Sequence, residues 1–207
     1  MRRRMLVLVM AGGVLVAGPS LAADDDPRQV VDLPPKVAEQ LRAEMRDHLA
    51  GLDDAVQALA AGDLVTLEEV AEVRLSFGHH LWQRLLDDGM PLAEVIALKH
   101  RLAEAGVGPG SLARTDQAGQ PEVLQQRMRD HLSEAERARV ARVIGGGQGM
   151  GPGRHLPAEM RAMGFALHDA ADNLAEAARA GDPAAMLDSL AEVTTACRSC
   201  HAVYRLK

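Results

Sequence analysis

Cys197-Arg198-Ser199-Cys200-His201-Ala202-Val203-Tyr204-Arg205-Leu206-Lys207 holds the chain's only two cysteines, three positions apart, with a histidine directly after the second. Positions i, i+3 and i+4 of a helix share a face, so two thiols and one imidazole can point at a single bound group. C-x-x-C-H is the spacing of c-type haem attachment. Each S–H adds across one of two vinyl groups on a haem edge, and the adjacent imidazole meets the iron as proximal ligand. Other uses of the pair stay open. A thioredoxin-like pair expects a preceding strand and a βαβ context, neither of which the chain suggests. A zinc site needs about four ligands, and there is no second cysteine pair. A disulfide remains, but residues 183–205 read as one continuous helix, which suits a haem better.

Upstream of this motif the pattern is helical, with no convincing strand. Residues 34–61 open with Pro34-Pro35 and carry Val37, Leu41, Met45, Leu49, Leu52, Val56 and Leu59 at spacings of three and four. Gly62 stops this helix, and Asp63 is placed to cap a second over 63–77. Further helical stretches follow at 79–88, 91–105 and from Pro121, where Ser133 and Glu136 have capping-box spacing. Residues 107–120 read as a loop and the glycine-rich run 145–153 as a connector, not a phosphate loop, since no Gly-Lys-Ser/Thr follows. Helix resumes over 157–180. Gly181 ends it, and Asp182-Pro183 starts the last helix. There Leu187, Leu190, Thr194, Cys197, Cys200 or His201, and Tyr204 form one stripe, read as the core face.

Two αα-hairpins of this kind predict an all-α four-helix bundle, which holds cofactors between facing helices. An internal echo supports it. Ala43-Glu44-Met45-Arg46 recurs as Ala158-Glu159-Met160-Arg161, and each copy precedes a Gly-Asp turn, at 62–63 or 181–182. Residues 79–155 read as an inserted helical and loop segment. Aromatics make up 2% of the chain, so Leu, Ala, Val and Met must fill the core.

Arg2-Arg3-Arg4, the apolar run from Met5 to Gly18 and Ser20-Leu21-Ala22 read as a secretory signal at 1–22. The run is short for a membrane span, so no stable membrane insertion is expected after cleavage. That cut leaves 23–207 as the haem-binding domain and moves the formal net charge from −6 to −9, three arginines being lost. An acidic surface argues against nucleic acid and suits a basic redox protein as partner; a homodimer is also compatible. Covalent haem attachment outside the bacterial cytoplasm makes signal and motif agree on the periplasm.

The C-terminal Cys197, Cys200, His201, Tyr204 and Arg205, in a CxxCHxxYR arrangement behind a signal and a four-helix pattern, resemble class II c-type cytochromes. That group comprises cytochrome c-prime and its low-spin, methionine-ligated relatives. The resemblance covers roughly 34–77 and 156–207, while residues 79–155 exceed the family's usual middle connection. It implies a haem within a left-handed bundle, six-coordinate in an electron carrier or five-coordinate in a binder of nitric oxide or carbon monoxide. At about 1.5 Å per residue, Met45 stands about 16 Å from the start of its helix and His201 about 7 Å from the end of its own. In an up-down-up-down bundle the two helices are antiparallel neighbours, so Met45 is the expected sixth ligand. Its position also looks like that of the ligating methionine in the low-spin relatives. Core packing of Met45 and ligation by His48 are the alternatives. Arg205 is placed to pair with a haem propionate or to end its helix as a solvated cation. His79, His80, His100, His131 and His155 show no metal-ligand grouping, and His168 reads as a packed, hydrogen-bonded histidine. No distal His-Arg pair of a haem peroxidase is evident, so an electron carrier without substrate chemistry is expected, not an enzyme.

Overall fold

Gly62 and Gly181 stand at φ 70° and 65°, the left-handed region that a residue without Cβ adopts at no steric cost. Each ends a long helix, and the next residue begins another. Asp63 accepts from the Thr66 amide at 3.1 Å, and Asp182 from the Ala184 and Ala185 amides at 3.0 and 3.1 Å. These two turns create the two hairpins of the fold. The structure, a computed structural model, describes residues 26–106, 121–144 and 152–207. The expected signal at 1–22, the loop at 107–120 and residues 145–151 of the glycine run lie outside the described residues.

The fold is all-α. The first hairpin is α1 (Pro35–Ala61) and α2 (Leu64–Val70), the latter continued by a π-helical turn, Ala71–Leu75. Four helices then depart from the bundle and return: α3 (His79–Asp87), α4 (Leu92–Glu104), α5 (Pro121–His131) and α6 (Glu134–Ile144). Ser133 and Glu136 cap each other at the start of α6, Ser133 N–H donating to Glu136 Oε2 at 2.9 Å and Glu136 N–H to Ser133 Oγ at 3.3 Å. The second hairpin is α7 (Ala158–Ala180) and α8 (Pro183–Val203).

One bundle end gathers Leu41 of α1, Met160 of α7 and Tyr204 beyond α8, with Met45, Met163 and Cys200 packed against them. The other gathers Ala55 and Ala58, Leu67 and Val70, Leu174 and Ala178, and Met186 and Val193. Thus α1 and α7 run one way while α2 and α8 run the other. Close packing joins α1 to α2, α2 to α7, and α7 to α8; α1 and α8, the remaining neighbours, scarcely touch. That open seam positions the candidate site.

The inserted helices own a core of Trp82, Leu85, Val95, Leu98, Leu132 and Val140, which also takes Val73 from the bundle. A buried ionic network fixes the junction. Glu72 receives Lys99, Arg179 at 2.7 Å and His100 at 3.0 Å, and Lys99 also pairs with Asp172 at 2.7 Å. Burial pushes the Glu72 carboxyl up, but Lys99 and His100 together hold it below the usual carboxylate range.

Two expectations need correction. The last helix does not run to residue 205. It ends at Val203, and Tyr204–Leu206 form a strand, β2, parallel to β1 (Gln29–Val31). Each strand has three residues and gains its hydrogen bonds from a segment at the far end of the chain, so no local alternation announces it. The stripes read as core faces are also turned. On α1 the buried positions are Ala38, Leu41, Glu44, His48, Gly51, Ala55 and Ala58, and on α8 Met186, Ser189 and Val193. Leu49, Val56 and Leu187 are 67, 44 and 59% exposed. Small residues let α1, α2 and α7 approach closely, so Ala and Gly occupy the core face while the larger side chains stand one position round.

Candidate cofactor site

The two flanks of α8 differ. Ala185, Asp188 and Glu192 line a shallow groove with Asn173 and Glu176 of α7. Leu187, Leu190, Thr194, Cys197 and His201 lie on the opposite flank and turn toward α1. On α1, Asp54 and Gln57 line a groove with Thr66 and Glu69 of α2, and Asp54 pairs with Arg74 beyond it. The opposite flank of α1, with Met45, Leu49, Leu52 and Val56, therefore turns toward α8. In antiparallel helices equivalent flanks meet at one seam, so helix geometry sets these two apolar rows toward each other where α1 and α8 scarcely touch.

Both thiols are free and half-buried, and burial pushes each up, with Cys197 adding to the effect on Cys200. They are neutral sulfhydryls, fit for addition to a vinyl group and poor ligands for a bare cation. His201 is exposed on the same flank. Met45 is half-buried and packs against the same apolar cluster as Cys200. His48, one turn on, is buried and faces the bundle interior, not the seam. Arg205 follows the helix in β2, half-buried, its Nε 3.6 Å from Asp26 Oδ2 and without a hydrogen-bond acceptor.

The seam is closed at the motif end by the strand pair. Lys207 N–H donates to Val31 O at 3.3 Å, Arg42 donates to the Lys207 carbonyl at 3.1 Å, and Lys207 pairs with Asp32 at 3.2 Å. Beyond that clasp the seam offers what haem c needs. It has two thiols and an imidazole on one side, large apolar side chains on both, and helices that leave room between them. The residues fit the group.

Sequence reasoning missed a second feature, a cluster of histidines from three elements. His48 Nε2 lies 3.4 Å from His79 Nδ1, and the rings of His48 and His168 are 5.5 Å apart. His168 Nδ1 donates to the Leu75 carbonyl at 2.7 Å, confirming a packed, hydrogen-bonded histidine. Burial, then neighbouring imidazoles, push His48 down to about 3 and His79 to about 2. Nothing in the local sequence pairs positions 48, 79 and 168; the turn after Leu75 does.

The family model described as cytochrome C' matches residues 156–205, which spans α7, α8 and the C-x-x-C-H motif. No curated protein and no solved structure matches the chain.

Proposed function

Taking as premise that the C-terminal hairpin supports a class II c-type cytochrome, we propose that the protein is a periplasmic electron carrier with one haem c in the seam between α1 and α8. The observation that carries this reading is the placement of Cys197, Cys200 and His201 on an apolar flank that the neighbouring helix faces but does not close. Bound there, haem c supplies one-electron chemistry through its ferric and ferrous states.

The chain's own residues divide the remaining work. Cys197 and Cys200 would hold the haem edge by thioether bonds, and His201 would supply an imidazole nitrogen to the iron. Met45, packed against the same cluster as Cys200, would offer its thioether sulfur to the haem iron, and such a ligand would raise the potential. Leu49, Leu52, Val56, Leu187 and Leu190 keep water from the ring. Arg205, with no hydrogen-bond acceptor at Nε, takes a propionate. The basic start and apolar run of residues 1–22 support export, and no helix among the described residues is long and apolar enough to cross a membrane. The acidic surface suits a basic redox protein.

Acid–acetone extraction followed by mass spectrometry tests attachment: the denatured chain should keep the mass of one haem. A visible spectrum tests the assignment to electron transfer. Low-spin bands in both oxidation states are expected, and Met45→Ala should turn them high-spin and open the iron to carbon monoxide. A wild-type spectrum that is high-spin in both states would overturn ligation by Met45 and select the gas-binding reading.

A further inference from the structure

We propose that His48, His79 and His168 form a site for one divalent late transition-metal ion, of the zinc, copper and nickel group, separate from the haem seam. The three imidazoles come from α1, from the first residue of α3 and from α7, and they meet inside the bundle. Their ring centroids are 4.5, 5.5 and 6.1 Å apart. An ion held by imidazole nitrogens at about 2.0–2.1 Å sits roughly 3 Å from each ring centroid, so rings sharing one ion stand roughly 5 Å apart. The observed spacing brackets that value.

Two observations point to an occupant. Buried polar atoms are nearly always paired, yet His48 Nδ1 and His79 Nε2 are buried with no hydrogen-bond partner, while the other nitrogens of the two rings, His48 Nε2 and His79 Nδ1, face each other at 3.4 Å. His168 donates its Nδ1 proton to the Leu75 carbonyl at 2.7 Å, which leaves the Nε2 lone pair available. That is the outer contact that fixes the tautomer of a metal-bound histidine. The carbonyl is free for it because the chain breaks from helix after Leu75, and the His79 amide turns to Ser76 instead. His80 lies tilted beside His79, ring centroids 4.0 Å apart, and is itself held by Glu44 at 3.0 Å.

As they stand, His48 meets His79 and His168 edge to face, His79 and His168 are tilted by 35°, and among the described residues no three donors close on a single point. Binding therefore requires ring rotation, chiefly of His79, whose terminal torsion is broad. Neutral imidazole selects late transition metals over magnesium or calcium, which prefer oxygen.

The test uses the holoprotein, whose thiols are consumed by haem, stripped with EDTA and desalted. After equilibration with Zn2+ or Cu2+ and gel filtration, metal analysis should find one ion per chain. His79→Ala and His168→Gln should each weaken binding at least tenfold, while His131→Asn, on α5, should leave it unchanged. Electron paramagnetic resonance of the Cu2+ form should show coupling to several nitrogens, a readout on the wild type that stands even if a variant fails to fold. Less than a tenth of an ion retained by wild type would overturn the proposal, as would binding unaltered in both variants. A haem spectrum changed by His48→Gln would overturn it too, by assigning that imidazole to the iron. Where haem attachment fails, the same binding is measured on the Cys197→Ser, Cys200→Ser chain, so the two proposals fail separately.

Discussion

Helix α8 meets α7 on one flank and α1 on the other, and the two seams are built from opposite materials. Toward α7 the contact is alanine-rich, with Ala171, Ala175 and Ala178 buried and Ala185 packed against them. Toward α1 stand Leu187 and Leu190, opposite Leu49, Leu52 and Val56, with Leu52 and Leu190 also packed in part against the alanine-rich core. Full burial of a leucine or valine side chain is worth about 1.5–3 kcal/mol. That gain is unrealised at Leu49, Val56 and Leu187, which remain 67, 44 and 59% exposed. Small residues close a seam between helices; large ones facing across a gap prepare it for a third body.

The largest expected effect comes from removing the anchor of that third body. Cys197→Ser with Cys200→Ser should abolish covalent haem, so the mass of the denatured chain falls to that of the polypeptide alone. Next comes the closed seam. Ala171, with no exposed surface, has no room for added methylenes, and Ala171→Leu should destabilise the fold by about 1–3 kcal/mol or more in urea titration. A neutral result would mean that this seam is as yielding as the other.

Acid acts on the inner side of α1, where His48 fills space between α1 and α7. In the unfolded chain His48 and His79 titrate near 6.5, whereas burial holds them at about 3 and about 2 in the fold. Below pH 6.5 the unfolded state therefore binds more protons. Stability present above pH 6.5 is lost as the pH falls toward those values, by up to about 1.4 kcal/mol per unit for each histidine. Urea midpoints between pH 6.5 and 5 should fall for wild type and fall less steeply in His79→Gln, which keeps His48; equal slopes would remove His79 from the account. The smallest effect belongs to the open seam. Leu187→Ala in haem-free protein should change stability by no more than about 0.5 kcal/mol, and the cost should grow once haem is attached. A loss of several kcal/mol without haem would show that α1 and α8 close on each other in solution.

The helices were legible because their ends carry local chemistry: the Gly-Asp turns at 62–63 and 181–182, and the Ser133–Glu136 box. The C-x-x-C-H spacing was legible because one helical turn carries it. What depended on partners far along the chain was not. Heavy apolar residues at spacings of three and four were read as the core face, but in an alanine-rich bundle they marked the flank one position round. The histidine cluster depends on a backbone carbonyl, that of Leu75, which no spacing reveals. The echo between the hairpins holds in its turns. It is looser upstream, since Met45 lies 17 residues before Gly62 and Met160 lies 21 before Gly181.

The clasp of Gln29–Val31 with Tyr204–Leu206 also bears on the order in which the molecule can assemble. Its partners are about 175 residues apart, and ordering so long a loop is an entropic demand met late in folding. A chain synthesised or exported from its N-terminus cannot form this pairing until residue 206 is present. By then Cys197 and Cys200 have already emerged. On the proposed reading, the strand pair would act as a latch at one end of the seam, and until it engages the thiols would stay open to haem.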